Sequence, residues 1–404
     1  MDNKNEKENK VLATVLSDNK ICDFCIGRLF TISINDKNYQ KNGKEIRESY
    51  NIKKILMKNC ELCDGIFKEV SLYKKMIFNT LTSYEFNSFV IGFKIDEDLI
   101  KREQKIISLF DNFSGESIKN TLQRIIGLYI ERKTNIPVNF EHPDIMIIFN
   151  TMFNAISLQI KPLYIYGRYN KFERGIPQTK WFCRTCRGKG CKRCNYTGTL
   201  YKTSIEELIK TPFIQQTKGQ DESFHGSGRE DIDVRMLGNG RPFVLEIIEP
   251  KIRTINLEYV QNIINKSTRI QISELQFTNK NEIKRLKEAK FHKVYHVKIQ
   301  GKKRFKTENL KKVALALRGK IIEQFTPTRV EKRRANKIRK RQIYNCTVLE
   351  VDGAMATFAI ESESGTYIKE LVTGDDGKTK PNISELIGQP CTVVNLDVME
   401  IKGE

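Results

Sequence analysis

Asp231 and Asp233 stand between Arg229 and Arg235 in the stretch GREDIDVRMLGNGRPF, Gly228 to Phe243. An enclosed carboxylate stays ionised only beside a cation. Held that way it can act as a nucleophile or a general base. On an open surface the same arrangement is an ordinary ion pair worth at most about 1 kcal/mol. The second chemistry-bearing set is sulfur. Eight of the ten cysteines fall in CxxC pairs: Cys22/Cys25, Cys60/Cys63, Cys183/Cys186 and Cys191/Cys194. CxxC pairs in a reducing compartment point to zinc rather than disulfides. Two pairs supply the four thiolates of a closed structural site, which leaves no coordination position for catalysis. The expectation is therefore structural Zn2+ from Cys22, Cys25, Cys60 and Cys63, and a second, compact site from Cys183, Cys186, Cys191 and Cys194. The alternatives are free structural thiols in the first set and a flexible basic loop in the second. Cys346 and Cys391 stand alone in apolar surroundings and read as core residues.

The elements that must position these groups follow from patterning. The 404 residues suffice for two or three domains, and 39% hydrophobic with 29% charged residues fits a globular chain. Residues 1–66 form an N-terminal segment of two thiolate knuckles, CDFCIGRLF and CELCDGIF. Between them lies room for a whole helix. Residues 67–180 alternate strand and helix patterns: strand-like at 83–95 and 144–150, helical at 117–134, with Ile118, Leu122, Ile125 and Tyr129 on one face and Ser117 as the cap. Residues 154–171 read as another strand with a tyrosine-rich, basic exit. Residues 181–199 hold the second cysteine set. From 200 to 404 a larger unit opens on a capping box, Ser204 with Glu207. It continues through strands at 241–250 and 293–303. A helix follows, with Leu310, Val313, Leu317 and Ile321 on one stripe, and a strand closes the chain. The turn Gly238-Asn239-Gly240 is expected to redirect the chain into the next strand.

Charge narrows the partner. Lys plus Arg outnumber Asp plus Glu by 70 to 49, a net +21, which favours a polyanion, and nucleic acid first. The run RVEKRRANKIRKR at 329–341 holds eight basic residues and one acid. It reads as a loop or helix start gripping phosphates, with Arg329, Arg333 and Arg334 as the contacts, since arginine binds phosphate bidentately; the plainer reading is a solvated face. The polar start MDNKNEKENK and the lack of any apolar run of about 18–20 residues point to a cytoplasmic protein with no membrane partner. No Walker A loop, dinucleotide fingerprint, GxSxG elbow or HExxH occurs, so no redox or nucleotide cofactor is expected. The four histidines are scattered and read as structural.

What remains resembles a known family. GREDIDV is similar to the G-R-x-D-x-x-V element of pseudouridine synthases, with Asp231 at the catalytic position and Asp233 where relatives often have glycine. KVYHVKI, 293–299, resembles their K-x-Y strand, whose tyrosine stacks on the target base. GTYIKELV, 365–372, resembles the G-T-Y-I-R-x-L element of the TruB class, with Lys369 in place of arginine. The closest branch is the archaeal-type tRNA pseudouridine synthase with an N-terminal THUMP-containing domain; YIYGRYNKFERGIPQTKW and TPTRVEKRRA are also typical of it. The resemblance spans nearly the whole chain. It implies an α+β protein in which a zinc-binding, THUMP-containing α/β RNA-binding domain precedes a mixed-sheet catalytic domain. It implies conversion of uridine 54 and uridine 55 in the tRNA T-loop to pseudouridine. Asp231 would attack the ribose or the base, or abstract a ribose proton. Tyr295 and Tyr367 would line the flipped base, Lys369 would balance the aspartate, and Arg229 would hold the space the base vacates. The competing reading is a non-catalytic RNA-binding protein or chaperone. It requires neither Asp231 nor a pseudouridine product.

Overall fold

The computed structural model describes residues 2–30, 38–110 and 113–403, the side chains of residues 2–8 and of Arg333 excepted. The chain divides into two units: residues 1–161 with 249–253, and residues 162–248 with 254–404.

The first unit is built on three strands, β1 (Phe89–Lys94), β2 (Ile145–Asn150) and β3 (Ala155–Ile160). β2 is central, parallel to β1 and antiparallel to β3. Period-2 alternation buries Phe89, Ile91 and Phe93 on β1 and Ile145, Ile147 and Phe149 on β2. The helix Ile118–Thr134 lies in the same core, and Ser117 caps it by accepting the Asn120 N–H at 3.2 Å. Its buried stripe is Ile118, Leu122, Ile126 and Ile130. The expected Ile125 and Tyr129 are each one position short of it, because the helix turns its i+4 row toward the sheet. The first cysteine set belongs to this core. Cys22 precedes, and Cys25 lies on, the helix Asp23–Phe30, and a second helix, Tyr39–Ser49, occupies the interval before Cys60. Buried ion pairs pin that first helix: Arg47 to Asp23 at 2.7 Å, and Arg28 to Glu103, whose carboxylate also accepts the Ile118 N–H.

The second unit carries ten strands: β4 (Leu163–Lys171), β5 (Asp221–Gly226), β6 (Arg235–Ile248), β7 (Ile270–Thr278), β8 (His292–Gly301), β9 (Ile321–Gln324), β10 (Arg339–Asp352), β11 (Met355–Ser362), β12 (Thr379–Lys380) and β13 (Cys391–Lys402). They form one mixed sheet in the order β12-β9-β10-β11-β8-β13-β6-β4-β7, with β5 paired to β6. The tyrosine-rich stretch at 163–171, placed by its pattern with the preceding module, is hydrogen-bonded into this larger sheet as β4. Cys346 and Cys391 are buried in its core, as expected.

Two local expectations change. Gly238-Asn239-Gly240 is not a turn but a bulge inside a continuous β6. Gly238 has φ +54 and a Cβ there would meet the Met399 carbonyl at 1.7 Å; Asn239 bonds the Ile401 backbone in both directions at 3.1 Å. The 307–322 pattern is a helix only over Thr307–Leu317. Gly319, at φ +72, breaks it, so Ile321 opens β9 as an exposed residue rather than extending the stripe.

Candidate active site

The residues with chemistry come from five separate segments of the second unit. Asp231 lies in the loop before β6, Tyr295 on β8, and Arg329 in the short 3-10 turn Thr328–Arg333 after β9. Tyr367 and Lys369 lie at the start of the helix Ile368–Thr373 after β11, and Trp181 after β4. All six line one cleft of about 830 Å3, together with Arg229 and Arg334. Asp231, Tyr295, Tyr367, Arg229 and Lys369 are thus brought together as the motifs imply.

The aspartate loop is fixed from below. Glu230 turns inward and is buried, where both its oxygens accept from the Tyr169 hydroxyl (3.0 and 2.9 Å) and one accepts from Arg241 Nε at 2.9 Å. Arg241 also donates to the Ser227 carbonyl at 2.7 Å, and Gln178 joins the Tyr169 hydroxyl to the Gly228 carbonyl. The Lys171 ammonium donates to the carbonyls of Ile176, Asp231 and Ile232. From the outer side Arg174 donates to the Asp233 carbonyl and, with Arg235, to Asp397. Glu230 points into the core while Asp231, which opens a turn closed by the Val234 N–H to its carbonyl at 3.0 Å, lines the cleft.

Asp231 Oδ2 accepts from Arg329 Nη1 at 2.9 Å and lies 3.4 Å from the Lys369 ammonium. Its side chain is 40% exposed, open to a substrate. Lys369 is bound more closely to Asp233, whose two oxygens it meets at 2.8 and 2.7 Å. Burial would raise the Asp233 carboxyl, but the Lys369 ammonium outweighs it and holds it below the usual range. The expected Lys369–Asp231 pair is therefore the lesser interaction of each. Arg329, expected on a phosphate, is exposed but has its guanidinium engaged by two carboxylates. Its Nε donates to the buried Glu370 at 2.6 Å while Nη1 takes Asp231, and its guanidinium lies 5.9 Å from the Tyr367 ring centroid. Arg334 is exposed on the cleft rim, and the side chain of Arg333 lies outside the described residues. Arg229 is exposed and stacks on the Trp181 ring at 5.1 Å.

The two tyrosines are set differently. Tyr367 is clamped through its backbone: the buried Gln324 amide accepts its N–H and donates to its carbonyl, each at 2.9 Å. Tyr295 is buried, and burial, with the Asp231 charge adding and Arg241 opposing, pushes its hydroxyl up to about 12. Two positions before it, on the same face of β8, Lys293 is also buried. Burial and the neighbouring Arg241 push its ammonium down to about 7, with Glu230 opposing.

Sequence reasoning missed Glu230, Tyr169, Arg241, Gln324, Glu370 and Lys293. Of these, Lys293 carried a signal: a charged residue two before Tyr295, at a strand position that period-2 alternation places on the buried face.

Both cysteine sets fit a tetrahedral thiolate site. Within each, all four sulfurs lie within 4.8 Å of one another. In the second set Cys183–Cys191, Cys186–Cys194 and Cys191–Cys194 are separated by 3.9, 3.8 and 3.8 Å. Metal–sulfur bonds of about 2.3 Å at tetrahedral angles require that edge length. Backbone N–H groups of Cys191 and Gly198 donate to the Cys194 sulfur at 3.3 Å, as thiolate ligands demand. The first set is buried throughout; Cys186 and Cys191 of the second are half-buried.

Comparison with known proteins identifies the family. The family described as Pus10, C-terminal covers residues 164–402, nearly the whole second unit, and the archaeal Pus10 THUMP domain covers residues 73–150. The tRNA pseudouridine synthase Pus10 of Methanocaldococcus jannaschii is 37% identical over 96% of this chain and 93% of its own. That of Methanothermobacter marburgensis is 38% identical over 96% of each. Among solved structures, a chain of a Cbf5-Nop10-Gar1 complex aligns over 49% of this chain and 45% of its own, at 16% identity and a TM-score of 0.30. Among the described residues no helix is long and apolar enough to cross a membrane. Two family matches in the expected order, and full-length relatives at this identity, set aside the non-catalytic reading: the chain belongs to the Pus10 family of tRNA pseudouridine synthases.

Proposed function

We propose that this chain isomerises uridine 54 and uridine 55 of the tRNA T-loop to pseudouridine, with Asp231 as the nucleophile on a flipped-out nucleotide. The observation that carries the reading is the convergence of Asp231, Tyr295 and Tyr367, 136 residues apart at the extremes, on one cleft lined by cations. The isomerisation breaks an N-glycosidic bond and rejoins the same uracil through carbon 5, so it needs a positioned carboxylate and no redox partner. Arg329 and Lys369 offset the negative charge of Asp231 when the cleft closes over the base. Tyr295 and Tyr367 stack on or line the uracil, an interaction worth about 1–3 kcal/mol. It offsets the cost of extracting the base, roughly a few kcal/mol. Arg229, already stacked on an indole ring, is placed to stand in for the extruded base. Arg334 and Arg333 meet the phosphate backbone at the rim. Each cysteine set holds one structural Zn2+, and the protein works in the cytoplasm.

The test is incubation of an unmodified tRNA transcript with the protein and pseudouridine mapping at each T-loop position. Wild-type protein is expected to modify positions 54 and 55. Asp231→Asn, which removes a charge and almost no volume, is expected to form no product while binding tRNA as well as wild type does. Appreciable turnover by that variant would remove Asp231 from the nucleophile role.

A further inference from the structure

Charge is out of balance beneath the cleft. Three cations, Lys171, Arg241 and Lys293, are buried there near one buried carboxylate, Glu230. Glu230 serves the first two: it accepts from Arg241 Nε at 2.9 Å and lies 3.9 Å from the Lys171 ammonium. Lys171 also donates to three carbonyls, and Arg241 to that of Ser227. Lys293 is held by nothing comparable. Among the described residues its ammonium has no hydrogen-bond acceptor. Its register partner on β13, Ile401, is apolar, and its partner on β11, Ser362, is buried with a hydroxyl that also lacks a partner. The cleft carboxylates Asp231 and Asp233 are engaged by Arg329 and Lys369. A buried cation without an acceptor is costly. Burial and Arg241 accordingly push Lys293 down to about 7, so it gains its charge most readily when something negative arrives beside it.

Its place says what arrives. Lys293 lines the cleft on the same face of β8 as Tyr295, two residues on. It therefore lies beside the ring that meets the base, not at the rim where Arg334 is exposed. Gly228 keeps the approach open. It has φ +75, and a Cβ there would come within 3.1 Å of Lys293 Nζ and 3.3 Å of Arg241 Nη1. A side chain at 228 would occupy the space onto which both cations face. The reaction makes an anion at this end of the cleft. When the bond from N1 to carbon 1 of the ribose breaks, its electron pair stays with the uracil and spreads over N1 and the two carbonyl oxygens. The charge is discharged when carbon 5 bonds to the ribose. The proton lost from carbon 5 is matched by the proton gained at N1, so no co-reactant is needed.

We infer that Lys293, backed by Arg241, is an anion-stabilising subsite for the uracil: its Nζ donates to a carbonyl oxygen of the base while the base is detached from the ribose. A donor aimed at charge that develops only during the reaction lowers the barrier without tightening substrate binding. The inference rests on the reading of this cleft as the site of the target uridine and adds the group that meets the departing charge.

The experiment compares full-length wild type, Lys293→Met and Lys293→Gln on tRNA transcripts made with uridine or with 5-fluorouridine. Single-turnover loss of the N-linked nucleoside at the modified position is the readout for both, alongside transcript affinity. Fluorine at carbon 5 withdraws electrons, so the detached ring bears its charge with less help. On uridine, Lys293→Met is expected to be slower by about 100-fold or more, the cost of removing one such donor. Lys293→Gln, which keeps a donor without the charge, is expected to fall between. On 5-fluorouridine the loss for Lys293→Met is expected to stay under about tenfold. Affinity is expected to change by less than about twofold, since the donor acts after binding. An equal loss on both substrates would overturn the subsite and leave Lys293 a structural or phosphate-binding residue; an undiminished rate on uridine would overturn it as well. The comparison is made at whichever uridine the wild type modifies. Absence of wild-type product at positions 54 and 55 would thus sink that assignment while the ratio between the two substrates still decides the subsite.

Discussion

Arg329 divides one guanidinium between the buried Glu370 and the cleft-facing Asp231. The second bond exists because the first fixes the side chain: a carboxylate with little access to water locks Nε and orients Nη1 toward the aspartate. Lys369 does the complementary work from the other side, with Asp233 as its tether. Two cations thus share two aspartates, and the geometry ranks them. Arg329→Gln is expected to cost about 1–3 kcal/mol of stability, because Glu370 is left buried without its charge partner. It should slow single-turnover isomerisation by at least about tenfold, while tRNA affinity changes little. Asp233→Asn is expected to be mild on both counts, within about 1 kcal/mol, since the Asp233 side chain is largely exposed. Thermal melts and single-turnover rates of the two variants check this ranking; a more damaging Asp233→Asn would make Lys369 the cation on which Asp231 depends. That Asp231, Tyr295 and Tyr367 meet in one cleft was legible because each lies in a short motif of fixed spacing. Arg329 was legible as an exposed cation, but its ion pairs to Glu370 and Asp231 were not. In a run of eight basic residues nothing local distinguishes the one whose partner, Glu370, lies 41 positions away.

At the scale of elements, period predicted type better than phase or ends. The helix over Ile118–Thr134 was legible with its Ser117 cap, but its core face was displaced by one residue, because Ile125 and Ile126 are equally apolar and only the sheet selects between them. The β6 bulge was hidden because a Gly-Asn-Gly sequence suits a turn and a bulge equally, and the choice is made by Asn239 bonding β13. Strand β8 shows what period-2 burial imposes when a lysine falls on the inward face. Lys293 shares that face with Tyr295, near Arg241 and its partner Glu230, with Lys171 also bonded into the same network. Its folded pKa of about 7 lies below the ordinary value of 10.5. Between those two pH values the unfolded chain holds a proton that the folded chain does not, so stability rises with pH through this window. Below about pH 7 both states are protonated and the penalty of burying the charge is complete. Lys293→Met removes the penalty. Its melting temperature is therefore expected to exceed that of wild type most at about pH 6.5–7 and to approach it as the pH nears 10. A difference in melting temperature that stays constant across that range would mean that Lys293 is not buried uncharged.

For the whole molecule, each unit has its own core and its own cysteine set, and the sets differ in how much structure depends on them. In the first unit the thiolates lie in the same core as the helix Asp23–Phe30, with its ion pairs to Arg47 and Glu103, and as the helix and strands of the THUMP region. Metal leaving that site would place four thiols, and the repulsion of any that stay ionised, inside an apolar core, so release must accompany local unfolding. In the second unit a metal would brace a loop outside the hydrophobic core, where two of the four cysteines are only half-buried. Chelation of the zinc-loaded protein is accordingly expected to proceed in two phases of about one equivalent each. A fast phase from Cys183, Cys186, Cys191 and Cys194 should leave far-UV circular dichroism and the main melting transition unchanged. A slow phase from Cys22, Cys25, Cys60 and Cys63 should have a rate set by unfolding, be accelerated by mild denaturant, and be accompanied by loss of helical signal. Cys186→Ser should abolish the fast phase alone. Release of both equivalents at one rate, or loss of secondary structure with the first, would show that the two sets are not independent and that the second also supports a core.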